Sequence, residues 1–165
     1  MWLSKRRFLT LLAGLPLAAC GFEPVYGPEG AATALRGRIA YRAPETPEGF
    51  RLRARLEDRL GRVERGDYML QIGIETREEA VVISSDQDIN RYNLLGRATW
   101  ALFAAEDLDA DTPLASGEVG TFTAYSAFGS TVATQEAQDD ARDRLAVALA
   151  DLIVTDLVFA AQDLP

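Results

Sequence analysis

The chain has 165 residues, enough for one compact domain, and carries 17 basic against 25 acidic side chains for a formal charge of −8. It has no histidine, one cysteine (Cys20) and one lysine (Lys5), every other basic residue being arginine. These absences exclude a Ser-His-Asp or Cys-His catalytic site, a zinc site of His and Cys ligands, and an intrachain disulfide.

The first nineteen residues read as an export signal. Lys5, Arg6 and Arg7 form a basic start, and residues 8–17 are apolar apart from Thr10, Gly14 and Pro16. This apolar run is about half of the ~20 residues that a spanning helix needs. Leu17-Ala18-Ala19-Cys20 follows and resembles a bacterial lipobox. That resemblance implies cleavage before Cys20, diacylglycerol on its thiol and an acyl chain on the new amino terminus, with no other cofactor. Three acyl chains anchor far more firmly than one. Gly21, where an aspartate would resemble an inner-membrane retention signal, favours the periplasmic face of the outer membrane. Ser4-Lys5-Arg6-Arg7-Phe8-Leu9 also resembles a twin-arginine signal, so both Sec and twin-arginine export stay open.

The processed chain would hold 14 arginines against 25 acids, a net of −11, which argues against nucleic acid as a partner. The charge is unevenly placed. Residues 36–65 hold nine arginines and five acids, whereas residues 66–165 hold five arginines and eighteen acids. A locally basic segment on an acidic protein suits an anionic partner.

Residues 20–34 contain two glycines and a proline in Gly27-Pro28-Glu29-Gly30 and lack periodicity, so they read as a lipidated tether; an ordered loop docked on the domain is the alternative. The remainder, 35–165, reads as one domain. Residues 35–41 predict a short strand, with Arg36, Arg38 and Arg42 on one side and Gly37, Ile39 and Tyr41 on the other. Pro44 and Pro47 interrupt the chain. Residues 50–63 predict a helix with Leu52, Leu56, Leu60 and Val63 as its apolar stripe. Arg51, Arg55, Arg59 and Arg62 form a second stripe beside it. Guanidinium groups bind phosphate in a forked geometry, so these four are candidate contacts to an anionic lipid or partner. A solvated face with Glu57 and Asp58 as local partners is the plain alternative.

Residues 68–76 alternate, with Tyr68, Leu70, Ile72 and Ile74 on one face, and the strand extends through Ala80, Val81, Val82 and Ile83. Ser84-Ser85-Asp86-Gln87-Asp88 is a turn cluster. A long strand follows over 89–104, with Tyr92, Leu94, Ala98, Trp100 and Leu102 on one face. Arg91 and Arg97 lie on the opposite face and are the other candidate contacts. Residues 114–125 predict another strand, and 134–159 a long helix whose apolar stripe includes Ala141, Leu145, Ala148, Leu149, Leu152, Ile153 and Leu157. The order β-α-β-β-β-α predicts an α+β two-layer sandwich, two helices packed on one four-stranded mixed sheet.

Little catalytic chemistry is on offer. Glu78-Glu79 and Asp139-Asp140 suit solvated positions. Asp107, Asp109 and Asp111 alternate like calcium ligands but lack the glycine and glutamate of an EF-hand loop. Gly117 and Gly120 lack a phosphate-loop context. The expectation is a protein that is not an enzyme.

Cys20-Gly21-Phe22-Glu23-Pro24-Val25-Tyr26-Gly27 resembles the opening of the lipopolysaccharide-assembly lipoprotein LptE family, in its short alphaproteobacterial form. Tyr68-Met69-Leu70-Gln71-Ile72, Arg91-Tyr92-Asn93-Leu94 through Ala98, Trp100 and Leu102, and Ala133-Thr134 through Asp140-Ala141-Arg142 and Leu145 are similar to later parts of that family. The resemblance implies the same two-layer sandwich. It also implies a role as plug and assembly partner inside the LptD-type outer-membrane β-barrel, with lipopolysaccharide as the cargo. Two rival readings are a lipid-binding auxiliary lipoprotein that works without a barrel, and a small envelope glycosidase using two carboxylates. The sheet face away from the helices discriminates between plug and shuttle: a plug exposes a broad polar face, a shuttle a greasy one.

Overall fold

The computed structural model describes residues 30–83, 89–108, 112–127 and 129–161. Cys20, the export signal, the first ten residues of the tether and the turn cluster at 84–88 lie outside the described residues. The elements run α1 (Ala31–Leu35), β1 (Ile39–Arg42), α2 (Pro47–Leu60), β2 (Tyr68–Ile83), β3 (Ile89–Ala104), β4 (Ala115–Ser126) and α3 (Thr131–Ala160). The strands form a single sheet in the order β1-β2-β3-β4. β1 pairs parallel to β2, with Ile39 beside Tyr68, and the other two pairings are antiparallel. The α+β sandwich with a four-stranded mixed sheet is therefore the observed architecture.

Alternation decides which face of the sheet is buried. Leu70 and Ile72 of β2, Leu94, Ala98, Trp100 and Leu102 of β3, and Tyr125 of β4 all point into one core. α2 closes this core with Leu52, Leu56 and Leu60, each fully buried and worth roughly 1.5–3 kcal/mol relative to exposure. α3 closes it with Leu145, Leu149, Ile153, Val154 and Leu157.

Helix ends fall where capping chemistry puts them. α2 starts at Pro47, three residues before the periodic pattern, because the Thr46 side chain accepts from the Gly49 N–H at 3.1 Å and proline suits the first turn. It ends at Leu60, because Gly61 takes φ = 89°. Val63 therefore lies in the following loop, outside the helical stripe. α3 starts at Thr131, capped by Ser130, whose oxygen accepts from the Ala133 N–H at 3.3 Å. Two further differences stand out. Residues 31–35 form the short helix α1, so the first strand begins at Ile39 rather than at Leu35, and Leu35 is buried in the core. In α3, Ala148 is only partly buried and Leu152 is 38% exposed, so neither belongs to the buried stripe.

α3 approaches the sheet over two glycines. A Cβ on Gly96 would stand 2.8 Å from Leu145. A Cβ on Gly117 would stand 2.8 Å from the Trp100 ring and nearer still to the Asp156 carboxylate, which accepts from the Trp100 indole N–H at 3.0 Å. At the other end of α3, Glu78 accepts from the Tyr125 hydroxyl at 2.7 Å and from the Gln138 amide at 3.0 Å. Tyr125 stacks on Tyr92 with centroids 5.3 Å apart.

Gly117→Ala is expected to overpack this contact and to lower stability by about 1–3 kcal/mol, read as a lower urea midpoint at unchanged slope. Burial pushes the Tyr41 hydroxyl, which donates to the Gly61 carbonyl at 3.1 Å, above the ordinary phenol range. A raised phenol pKa contributes stability that is complete below about pH 10 and is lost as pH rises through the folded-state value. Tyr41→Phe is therefore expected to flatten the alkaline fall in stability above about pH 10, measured by denaturant titration across pH 8–12.

Candidate functional site

With both helices on one side, the second face of the sheet is open. Its side chains come from the odd positions of β2 and β3 and the even positions of β4, and they line up in cross-strand rows. Gln71, Ala101 and Ser116 form one row, then Gly73, Thr99 and Glu118, then Glu75, Arg97 and Gly120, then Arg77, Leu95 and Phe122. The absence of side chains at Gly73 and Gly120 leaves a trough across the face. It opens into a hollow of about 840 Å³ around Arg97, Gly120 and Phe122, one of about 320 Å³ around Gly73 and Glu118, and one of about 480 Å³ beside Arg42, Pro44 and Gln71.

The charges on this face are largely matched in place. Arg97 donates to Glu118 at 2.5 Å, and Arg77 donates to Glu79. Both pairs are well exposed, so each contributes at most about 1 kcal/mol. Arg91, opposite Ser126, is exposed and forms no ion pair among the described residues. Leu95 and Phe122 add one apolar spot, with Phe122 66% exposed. Met69 and Phe103, paired at one end of the same face, form a second apolar spot, and the rest is a broad surface of small, neutral and charge-matched side chains.

The arginine stripe of α2 lies in the helical layer, on the other side of the sheet from Arg91 and Arg97. Arg51 lies 3.4 Å from Asp143. Arg55 donates to Asp151 at 3.0 Å and to Asp58 at 3.1 Å, and Arg59 reaches the same Asp151 at 3.4 Å. Arg62 lies past the end of α2, in the loop with Val63, and so leaves the helical stripe; it sits 3.7 Å from Glu57. The hydrogen bond to Asp151 raises the Arg55 pKa further above its ordinary value. Three of the four arginines thus form a seam between α2 and α3. The local sequence offered Glu57 and Asp58 as partners. Asp143 and Asp151, about ninety positions away, became neighbours only through the packing of the two helices.

Sequence reasoning located Arg91 and Arg97 on the face away from the helices, where they are. It missed Arg42, Gln71, Thr99, Glu118 and Phe122 as lining of the trough. The signal for the last two was the alternation of β4, whose even positions leave the core together.

No family model and no curated protein matches the chain. Solved structures do share its fold. A candidate lipoprotein from Caulobacter crescentus CB15 superposes with a TM-score of 0.64 at 23% identity, covering 83% of this chain and 99% of that one. Rare lipoprotein B from Shewanella oneidensis gives 0.56 at 9% identity, covering 76% and 94%. Uncharacterized lipoprotein B from Nitrosomonas europaea gives 0.56 at 14% identity, covering 78% and 86%. The fold is that of these lipoproteins.

The interhelical seam predicts a small, salt-sensitive contribution to stability. Asp151 is 38% exposed, so Asp151→Ala is expected to cost up to about 1 kcal/mol, with the cost shrinking as salt is raised from 0.05 to 1 M, measured by urea unfolding.

Proposed function

We propose that this chain is an outer-membrane lipoprotein, acylated at Cys20 and held at the periplasmic face, that acts as plug and assembly partner of an LptD-type β-barrel in lipopolysaccharide transport. The observation that carries the reading is the open face of the sheet. A plug in a barrel lumen needs a broad polar surface to meet a polar wall. Here that surface is built from rows of small and charge-matched side chains such as Gly73-Thr99-Glu118 and Glu75-Arg97-Gly120. The fold shared with rare lipoprotein B and the lipobox-like Leu17-Ala18-Ala19-Cys20 support the same reading. The role is one of binding and assembly rather than catalysis. In this reading Arg91 and Arg97, on the open face, are the members of the sequence-derived set that meet the barrel wall or its cargo. Arg51, Arg55 and Arg59 are placed to hold the two helices together.

The test is affinity purification of the tagged, acylated protein from outer membranes in mild detergent. A large β-barrel is expected in equimolar amount. Arg97→Ala, which removes the cation without setting a new charge beside Glu75 and Glu118, is expected to reduce its recovery several-fold while lowering the thermal midpoint by no more than about 4 °C. Mass spectrometry is expected to find the acyl mass on Cys20 and to lose it in Cys20→Ala. Recovery of the acylated protein without any barrel would sink the plug reading in favour of a lipid-binding auxiliary lipoprotein.

A further inference from the structure

The outer side of α3 carries an apolar ridge. Ala148, Leu152, Thr155 and Phe159 follow one another at four- and three-residue spacing and so share one line on the helix. Leu152 is 38% exposed and Phe159 is 62% exposed. Thr155, between them, places its hydroxyl on the Asp151 carbonyl at 3.0 Å and adds no unpaired polar group. Single exposed apolar residues are ordinary on any surface, but an aligned pair on one ridge is a contact surface without its cover.

The described chain begins beside this ridge. Gly30 is buried, and its carbonyl accepts from the Thr33 and Ala34 N–H groups as α1 starts. α1 lies at the carboxyl end of α2, because the Gly37 N–H donates to the Leu60 carbonyl at 2.7 Å. This is the end of α2 whose Arg59 reaches Asp151 of α3. α1 also packs on α3, and Leu35 shares the core with Leu157 and Val158 of its last turns. Residues 20–29 therefore join the fold close to where Phe159 stands.

The composition of that segment is unlike a solvated leash. Such linkers are built from glycine and serine. Residues 20–29 instead hold Phe22, Val25 and Tyr26, with Pro24 and Pro28 to stiffen them. The part of the expected tether that is described, 31–34, is already folded as α1.

We propose that residues 22–26 lie back along α3 in extended form, with Val25 against Phe159 and Phe22 against Leu152. Three observations favour this segment as the cover. It enters the fold beside the ridge. Its spacing fits: in a polyproline-like segment Phe22 and Val25 share a side and stand about 9 Å apart, and Leu152 and Phe159 stand about 10 Å apart along the helix. Its attachment places it near the ridge at an effective concentration on the order of millimolar, so a two-point apolar contact is sufficient. A loose ten-residue leash would let the domain stand up to about 34 Å from Cys20, whereas the docked one holds the end of α3 close to the anchoring residue. The contact is made within one chain, so it accommodates one copy per barrel and does not rest on the barrel reading.

The test uses the processed, acylated protein in lipid nanodiscs, with Glu23→Cys paired either with Thr155→Cys on the ridge or with Glu64→Cys in the loop beside α1. Acylation occupies the Cys20 sulfur; a preparation without the acyl mass is remade with Cys20→Ala and treated alike, so the anchor and this contact fail separately. On mild oxidation the 23–155 pair is expected to form at least about fivefold more disulfide than the 23–64 pair. Phe159→Ser, at an exposed position, is expected to abolish that preference while leaving the urea midpoint unchanged. Equal linkage to 155 and 64 overturns the proposal, because the segment then samples both sides freely. A preference that survives Phe159→Ser overturns it too, since the ridge is then not what holds the segment. A Thr155→Cys thiol that is shielded from alkylation only after a barrel is added would assign the ridge to the barrel and likewise overturn it.

Discussion

The thirty-residue helix α3 can cover the sheet only because β3 and β4 carry glycines where it crosses them. Leu145 seats over Gly96, and the Trp100–Asp156 pair seats over Gly117. Both glycines belong to the set of alternate residues that faces the helices. Their small size lets the ridge of α3 settle against the backbone, which brings Leu149, Ile153 and Leu157 into the same core as Leu52 and Leu56 of α2. With one face filled by two helices, the other face stays bare, and the trough and the charge-matched rows follow from that one-sided filling.

Much of this is legible in the sequence. The two long strands carry an uninterrupted period of two, and β2 and β3 run over 68–83 and 89–104 as their alternation indicates. Assigning Tyr92, Leu94, Ala98, Trp100 and Leu102 to one face also placed Arg91 and Arg97 on the other. What escaped was of two kinds. α1 is a five-residue helix of Ala31-Ala32-Thr33-Ala34-Leu35, too short for a period to register, and Leu35 ties it to the core. Leu152 fits the helical spacing as well as its buried neighbours do. Its exposure depends on how α3 crosses β4, which no local pattern encodes.

The charge asymmetry of the chain has a partly internal explanation. The basic stretch at 36–65 and the acidic one that follows looked like a surface set for an anionic partner. In the folded chain Arg51, Arg55 and Arg59 meet Asp143 and Asp151, so the basic helix and the acidic helix complement each other across their seam. Similarly, Arg142 lies 3.6 Å from Glu48 at the other end of the same seam. These pairs are partly exposed and add little stability individually. Their geometric effect adds to the buried leucines in holding two helices of opposite charge in one relative position.

The one-sidedness of the sheet also bears on how such a chain can change over time. Every second residue of β2, β3 and β4 is held to a volume and a polarity by the helices above it, while the residues between them answer only to what meets the open face. Half of each long strand is thus free to follow a partner without disturbing the core. A backbone so divided retains its shape while its sequence drifts, and two such proteins can overlay along most of their length with few positions in common.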